Sequence, residues 1–513
     1  MSPHKKLVAL GAIFALSLLV FGVVIPGEFI VDDKLWATGT KAQANEAVIL
    51  QHIGGWVFRP LHTGLMDVSL KIFGANPGAW HVMSILLHAL NGFLLYLVLE
   101  QLIPTLDWRL RIACVLLFLV HPAGSEAVFW ISAMSELTVT GWVLFTLWIY
   151  LRWRQDWTLP RLILLGVSAT IACLFKETAI VLPLLIFFYE IAQDRRLPFV
   201  RPLLILAVTA LGFLIVRHLS LGSLAGSQTF HFSPGRVIEF ALTHWRFLWW
   251  PAMPPFALRP PEMPLASPIT LFFAFSVFLA TLLTGVFQRA AKPLLALGLA
   301  LLVLGLWPAY AVAIVGDGFF NGRQAYLPST GLPLIVGAIL VAVDQKRYKA
   351  SLVALTLTTG WMTIATASGG IAWQSNIEIY RQSMAVSPAA AGPRAGIAIA
   401  LAERGDIDTA IPMYASALER ASTPRERADY LYHMASILGQ NGRGNESDNL
   451  LRELTLLDPN HSPAWTGLGN NAWSAGRLED AVAHYRRALQ INPGNREAVS
   501  NLNALLTSMG GAR

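Results

Sequence analysis

The chain has 513 residues, of which 55% are apolar and only 13% charged, with a mean hydropathy of +0.53. So few charges cannot keep so much apolar surface in water, which excludes an ordinary soluble protein and makes a bilayer its solvent. The net charge of +7 does not point to nucleic acid, because Lys and Arg fall in short connecting segments and form no continuous groove; no nucleic-acid partner is expected. Cys114 and Cys173 both sit inside apolar runs and offer neither a disulfide framework nor a thiolate metal site.

From the N-terminus, LVALGAIFALSLLVFGVVI follows His4, Lys5 and Lys6 and is long enough to cross hydrocarbon. It reads as a retained span, since no small-x-small cleavage pattern follows it. Further spans are expected near 81–100, 110–121, 136–151, 160–175, 178–191, 202–217, 268–287, 293–313, 330–344 and 351–371, eleven in all. With the N-terminus in the cytoplasm, alternate gaps should be basic. They hold Arg109 and Arg111, then Arg152, Arg154 and Arg161, then Arg195, Arg196 and Arg201, then Arg289 and Lys292, then Lys346, Arg347 and Lys349. The opposite gaps include two long external loops, 26–80 and 218–267, and little basic excess. The expected organisation is all-α: a polytopic membrane domain over 1–371, a linker over 372–389 and a soluble domain over 390–513, on the non-cytoplasmic side.

The external segments carry ionisable groups, which cost several kcal/mol at membrane depth unless they are paired or used. Directly after the first span, PGEFIVDDKLWATG places Asp32 and Asp33 side by side, either as a functional pair or as an N-cap for the segment beginning at Lys34. Arg59 follows in the same loop. His81 and His88 are seven apart and share one helix face, a pattern better suited to core hydrogen bonds than to a metal, so no metal is expected. Residues 121–137 bring His121 and Glu126, 174–183 bring Lys176 and Glu177, and 316–331 bring Asp317, Arg323 and Tyr326. Some of these charges could simply pair, as Lys176 could with Glu126 or Glu177. As a set, carboxylates and cations on one side of a membrane suit glycosyl transfer from a lipid-phosphate sugar. The phosphate leaves without a general acid, cations stabilise its charge, and a carboxylate takes the acceptor's proton.

In the soluble part, Trp465, Leu468, Gly469, Ala472, Gly476, Ala481, Tyr485, Ala488 and Pro493 stand at tetratricopeptide spacing in a unit that starts at Ser462. Weaker units begin near 396 and 428, and 496–508 reads as a capping helix. Such arrays present a concave surface for protein segments, though a spacer or brace would use the same scaffold.

The order DD after the first span, RPL (59–61), FGANPGAWH (73–81), LLHAL (86–90), HPxxxEAV (121–128), KETxxxxP (176–183) and RxxYLPSxG (323–331), followed by tetratricopeptide repeats, resembles the transmembrane-and-tetratricopeptide-repeat O-mannosyltransferases and their bacterial relatives. These belong to the GT-C class of multi-span enzymes, which take sugar from polyprenyl- or dolichyl-phosphate donors. The resemblance implies a catalytic base in the pair Asp32 and Asp33, donor-phosphate contacts from Arg323, Lys176 and Arg59, and supporting polar residues Glu126, Glu177, His121 and Tyr326. It implies a lipid-linked sugar donor with no divalent metal, and an acceptor protein, such as a pilin or secreted protein, presented by the repeats. Short loops favour a bacterial inner-membrane enzyme with a periplasmic repeat domain. The chain departs from the family in its short array of about three units and in AMSEL at 133–137, where a basic residue often stands. A lipid or polysaccharide acceptor, or a non-enzymatic membrane-anchored scaffold, are the competing expectations.

Overall fold

The computed structural model describes residues 3–31, 33–37, 58–193, 200–221, 291–306, 322–342 and 348–510, and every regular element among them is helical. The chain divides into two compact units, Met1–Ser375 and Asn376–Arg513.

The first unit contains α1 (Pro3–Phe21), α2 (Asp33–Ala37), α3 (Pro60–Phe73), α4 (Pro77–Leu102), α5 (Trp108–Val120), α6 (Pro122–Phe129), α7 (Met134–Trp153), α8 (Leu159–Phe175), α9 (Leu182–Ala192), α10 (Val200–Leu221), α11 (Lys292–Leu304), α12 (Tyr326–Ser329), α13 (Gly331–Ala342) and α14 (Tyr348–Gly370). Proline in the first turn of α3, α4, α6, α8, α9 and α11 starts these helices where its missing N–H costs nothing. Asn76 caps α4 by accepting from the Ala79 amide (3.3 Å), and Asp107 caps α5 by accepting from that of Arg109 (2.8 Å).

Six helical stretches among the described residues have the length and composition to cross a membrane: His4–Val24, Pro77–Leu102, Ile131–Trp153, Val200–Leu221, Gly322–Ala342 and Tyr348–Gln374. α5 and α6, bent by 61° at His121, make a seventh if the bent pair counts as one span. α8 and α11 are apolar but shorter. The expected span at 268–287 and the loop at 218–267 lie outside the described residues. The other expected spans overlap described helices, several of them shorter than a straight crossing requires, and residues 307–313 and 343–344 of two of them lie outside the described residues.

Contacts sort the helix ends into two rims. At one, Gln374 Nε2 donates to the Val23 carbonyl (2.5 Å) and the Glu28 amide to the Gln374 carbonyl (3.0 Å), joining the end of α1 to the end of α14. At the other, Lys6 pairs with Glu100 (2.8 Å), the Tyr348 hydroxyl donates to Asp107 (3.2 Å) and Arg154 bonds Tyr189. The described basic gaps belong to this second rim. Between the rims small residues bring backbones together: a Cβ at Gly331 would stand 2.4 Å from the Gly298 carbonyl, so α11 and α13 touch there.

The second unit contains α15 (Asn376–Val386), α16 (Ala391–Glu403), α17 (Ile407–Glu419), α18 (Pro424–Gln440), α19 (Gly444–Leu457), α20 (Ser462–Ser474), α21 (Leu478–Ile491) and α22 (Arg496–Gly510). The turns within successive helix pairs use Gly405, Gly442 and Gly476 at φ 83°, 76° and 75°, the left-handed region that a side chain resists. Inside a pair, Gly469 lies against the Tyr485 ring, where a Cβ would approach to 2.5 Å. Residues 372–389, expected as a linker, are instead largely helical, in a single turn at Ile371–Gln374 and in α15. The reason is burial: Ile379 is fully covered, and the Tyr380 ring packs on Gly396 of α16.

Candidate functional site

Of the polar residues singled out in the sequence, Asp33, Arg59, His121, Glu126, Lys176, Glu177 and Arg323 lie at the rim where α1, α5, α8 and α14 end and α4, α7 and α13 begin. Val31, a β-branched residue at φ 51°, makes a strained turn after α1. α2 then opens on Asp33, whose carboxylate is fully buried. Its Oδ1 accepts a hydrogen bond from the Ser132 amide (2.7 Å) and its Oδ2 one from the Ile30 amide (3.4 Å). Asp32 lies outside the described residues, as does Asp317.

The cations are held in two ways. Arg59 makes a two-pronged pair with Glu177, Nε to Oε2 at 2.9 Å and Nη2 to Oε1 at 2.5 Å, while Arg217 Nη1 stands 3.9 Å from the same carboxylate. Lys176 donates to Glu136, a buried pair that ties the end of α8 to the first turn of α7. Removing either charge from water costs several kcal/mol, which explains why each has taken a carboxylate. The sequence offered Glu126 or Glu177 as partners for Lys176; the ion pair is made with Glu136. Arg323 is different. Its guanidinium lies 4.2 Å from the centre of the Trp130 ring, and among the described residues no carboxylate comes within ion-pair distance of it.

Glu126 is buried on α6. Its Oε2 accepts from the Gly322 amide (3.0 Å), whereas Oε1 has no partner among the described residues. Trp130 Nε1, Ser132 Oγ and Thr178 Oγ1 are also buried without partners there. Buried polar groups are normally bonded, so these atoms have bonding capacity that no described residue fills.

Two of the expected residues have structural duties. His121 Nδ1 accepts from the Ala123 amide (3.2 Å), capping α6 beside Pro122. The Tyr326 hydroxyl lies 2.6 Å from His88 Nδ1 and accepts from Asn91 Nδ2 (3.1 Å), while His88 Nε2 lies 2.9 Å from the Leu119 carbonyl. Donation from Nε2 to Leu119 fixes Nδ1 as the acceptor for tyrosine. His88 is thereby committed to the helix core.

Sequence reasoning missed Trp130, Ser132, Glu136, Arg217 and Gly322. Glu136 alone had a signal, as the acidic residue of AMSEL where the family often has a base. Trp130 and Ser132 carry none, because their roles come from contacts with residues about 100 and 190 positions away.

Residues 59–220 match the family described as dolichyl-phosphate-mannose-protein mannosyltransferase, and residues 462–495 match the tetratricopeptide repeat. Protein O-mannosyl-transferase Tmtc1 of Drosophila melanogaster is 28% identical over 191 residues, covering 34% of this chain and 22% of that protein. Protein O-mannosyl-transferase F38B6.6 of Caenorhabditis elegans is 22% identical over 356 residues, covering 64% of this chain and 49% of that protein. The chain thus spans less than half the length of either relative. Among solved structures, ArnT from Cupriavidus metallidurans bound to undecaprenyl phosphate aligns over 85% of this chain and 81% of its own, at 12% identity and a TM-score of 0.44. With the two matched families in the order of its two units, the chain resembles the GT-C membrane glycosyltransferases that carry tetratricopeptide repeats.

Proposed function

We propose that this protein transfers a sugar from a polyprenyl-phosphate carrier to a Ser or Thr hydroxyl of an acceptor protein, at the rim that carries Asp33 and Arg323, and that the repeats of the second unit engage the acceptor. One observation carries the reading. A carboxylate from residue 33 and a guanidinium from residue 323, distant in sequence, seat on positions two apart: Asp33 on the Ser132 amide, Arg323 on the Trp130 ring. Both side chains are therefore attached to the same short segment, which supports reading them as the base and the anion-binding cation that transfer from a lipid phosphate uses.

In the reaction, the acceptor oxygen bonds to the anomeric carbon as the bond from that carbon to the phosphate oxygen breaks. The hydroxyl proton passes to the carboxylate of Asp33 or of Asp32, and the departing phosphate places its added charge beside Arg323. Among the described residues the Ser132 and Thr178 hydroxyls have no partner and are available to a hydroxyl-rich ligand. Arg59 and Lys176 act through their carboxylate pairs to hold the rim together. The names of the relatives make mannose the first sugar to test. Short basic loops on the opposite rim support a cytoplasmic location for that rim, and a bacterial inner membrane with periplasmic repeats.

Mass spectrometry of envelope and secreted proteins from cells with and without the intact gene tests this reading. A hexose-sized mass on a Ser- or Thr-containing peptide, lost when the gene is deleted, is expected. A modified lipid or polysaccharide in its place would reassign the acceptor, and unchanged glycans throughout would leave a scaffold as the better account.

A further inference from the structure

We propose that Glu126 and Trp130 are positioning residues for Arg323, one gripping the backbone and the other the side chain of the same turn, and that together they fix where the donor phosphate is bound. The inference rests on the donor-phosphate role given to Arg323 above.

Glu126 and Trp130 stand four residues apart, one helical turn, at the end of α6, with the Trp130 amide donating to the Glu126 carbonyl (3.0 Å). From this short helix the Glu126 carboxylate reaches the Gly322 amide at 3.0 Å, while the Trp130 ring lies under the Arg323 guanidinium at 4.2 Å. The approach needs glycine: a Cβ at residue 322 would stand 2.8 Å from Glu126 Oε2. The same turn is held from its far side, where Tyr326 bonds His88 and Asn91 and its ring crosses Gly124 closely enough that a Cβ there would meet it at 3.2 Å. Trp130 is also backed, since Trp373 lies 6.4 Å from it and stacks in turn on Phe129 at 6.1 Å. The indole is therefore buried among aromatic neighbours as well as lying under the arginine.

An aromatic platform has a chemical purpose here. A carboxylate partner, such as Glu177 gives Arg59, neutralises the cation and occupies its donors. A ring face attracts the guanidinium through its quadrupole while leaving the charge and the in-plane N–H groups for an incoming phosphate. α6 thus presents a cation that has no carboxylate partner among the described residues.

Steady-state kinetics of the purified full chain, with a polyprenyl-phosphate sugar as donor and a Ser/Thr peptide as acceptor, test the proposal. Trp130→Ala should raise the donor KM about ten-fold, in line with a cation–π contact, and leave the acceptor KM unchanged. Trp130→Phe, which keeps a smaller ring and most of the packing, should recover the larger part of that loss. Gly322→Ala should also raise the donor KM, and Glu126→Asp in the same chain should restore part of it by withdrawing the carboxylate from the new Cβ. An unchanged donor KM in folded Trp130→Ala, or equal changes in both KM values, would overturn the proposal. If Trp130→Ala does not fold, Trp130→Leu, which fills the site without a ring face, takes its place, and an unchanged donor KM there would do so. An unaltered chain without transfer activity would instead contradict the function proposed above.

Discussion

Arg59 and Arg323 carry the same charge at the same rim, yet their surroundings predict opposite consequences for removing them. Arg59 is locked to Glu177, so Arg59→Ala leaves a part-buried carboxylate whose other ion pair among the described residues is the more distant Arg217; a loss of about 3 kcal/mol is expected, read as a lower melting temperature in detergent. Arg323 rests on a ring and is part-exposed, so Arg323→Ala should cost little stability and remove donor binding. The Lys176 and Glu136 pair offers a third case. Lys176→Met alone strands a buried carboxylate and should destabilise, whereas Lys176→Met with Glu136→Leu should restore the melting temperature, because two apolar side chains need no compensation. At this scale the sequence picked out segments whose described charges meet at one rim, since ionisable groups in apolar surroundings stand out by themselves. It did not name the right pairs. Lys176 was offered Glu126 and Glu177, one of them its neighbour in sequence, and took Glu136, because the choice of partner depends on how α7 and α8 pack.

Among the elements, the helical repeats were the most legible, since their period is local and each turn glycine recurs in register, at 405, 442 and 476. The pattern also identifies where a single methyl group is felt. Gly469→Ala would drive a Cβ into the Tyr485 ring and should destabilise the second unit by about 1–3 kcal/mol, visible as faster proteolysis within residues 376–513 of the full chain. The membrane helices were harder to delimit. Hydropathy reports apolar length, not direction, and so could not show that the chain bends by 61° at His121, where Pro122 restarts it as α6. That break gives α6 its role, because the turn places Glu126 and Trp130 against residues 322–323 instead of continuing α5. The helical segment at 376–386 went unrecognised for a related reason: its apolar residues are few, and their burial depends on α16.

At the scale of the molecule, the alternation of basic and mixed loops anticipated the two rims, because loop charge and helix direction are linked by the way spans enter a bilayer. Lys71 is exposed on α3, and Asp156 is exposed beyond the end of α7 at the opposite rim. With Cys114 and Cys173 buried, cysteines placed singly at these positions should react differently with a membrane-impermeant maleimide on sealed vesicles: one labels at once, the other only after permeabilisation. Equal labelling before permeabilisation would contradict the two-rim arrangement. The chemical assignment requires a more direct measurement. Purified full chain in lipid should transfer sugar from a polyprenyl-phosphate donor to a Ser/Thr peptide. Arg323→Ala should abolish transfer by loss of donor binding, and Asn at residue 32 or at residue 33 should abolish it with donor binding intact. Full activity in all three variants, at expression and melting temperatures equal to the unaltered chain, would contradict the assignment of this rim as the active site.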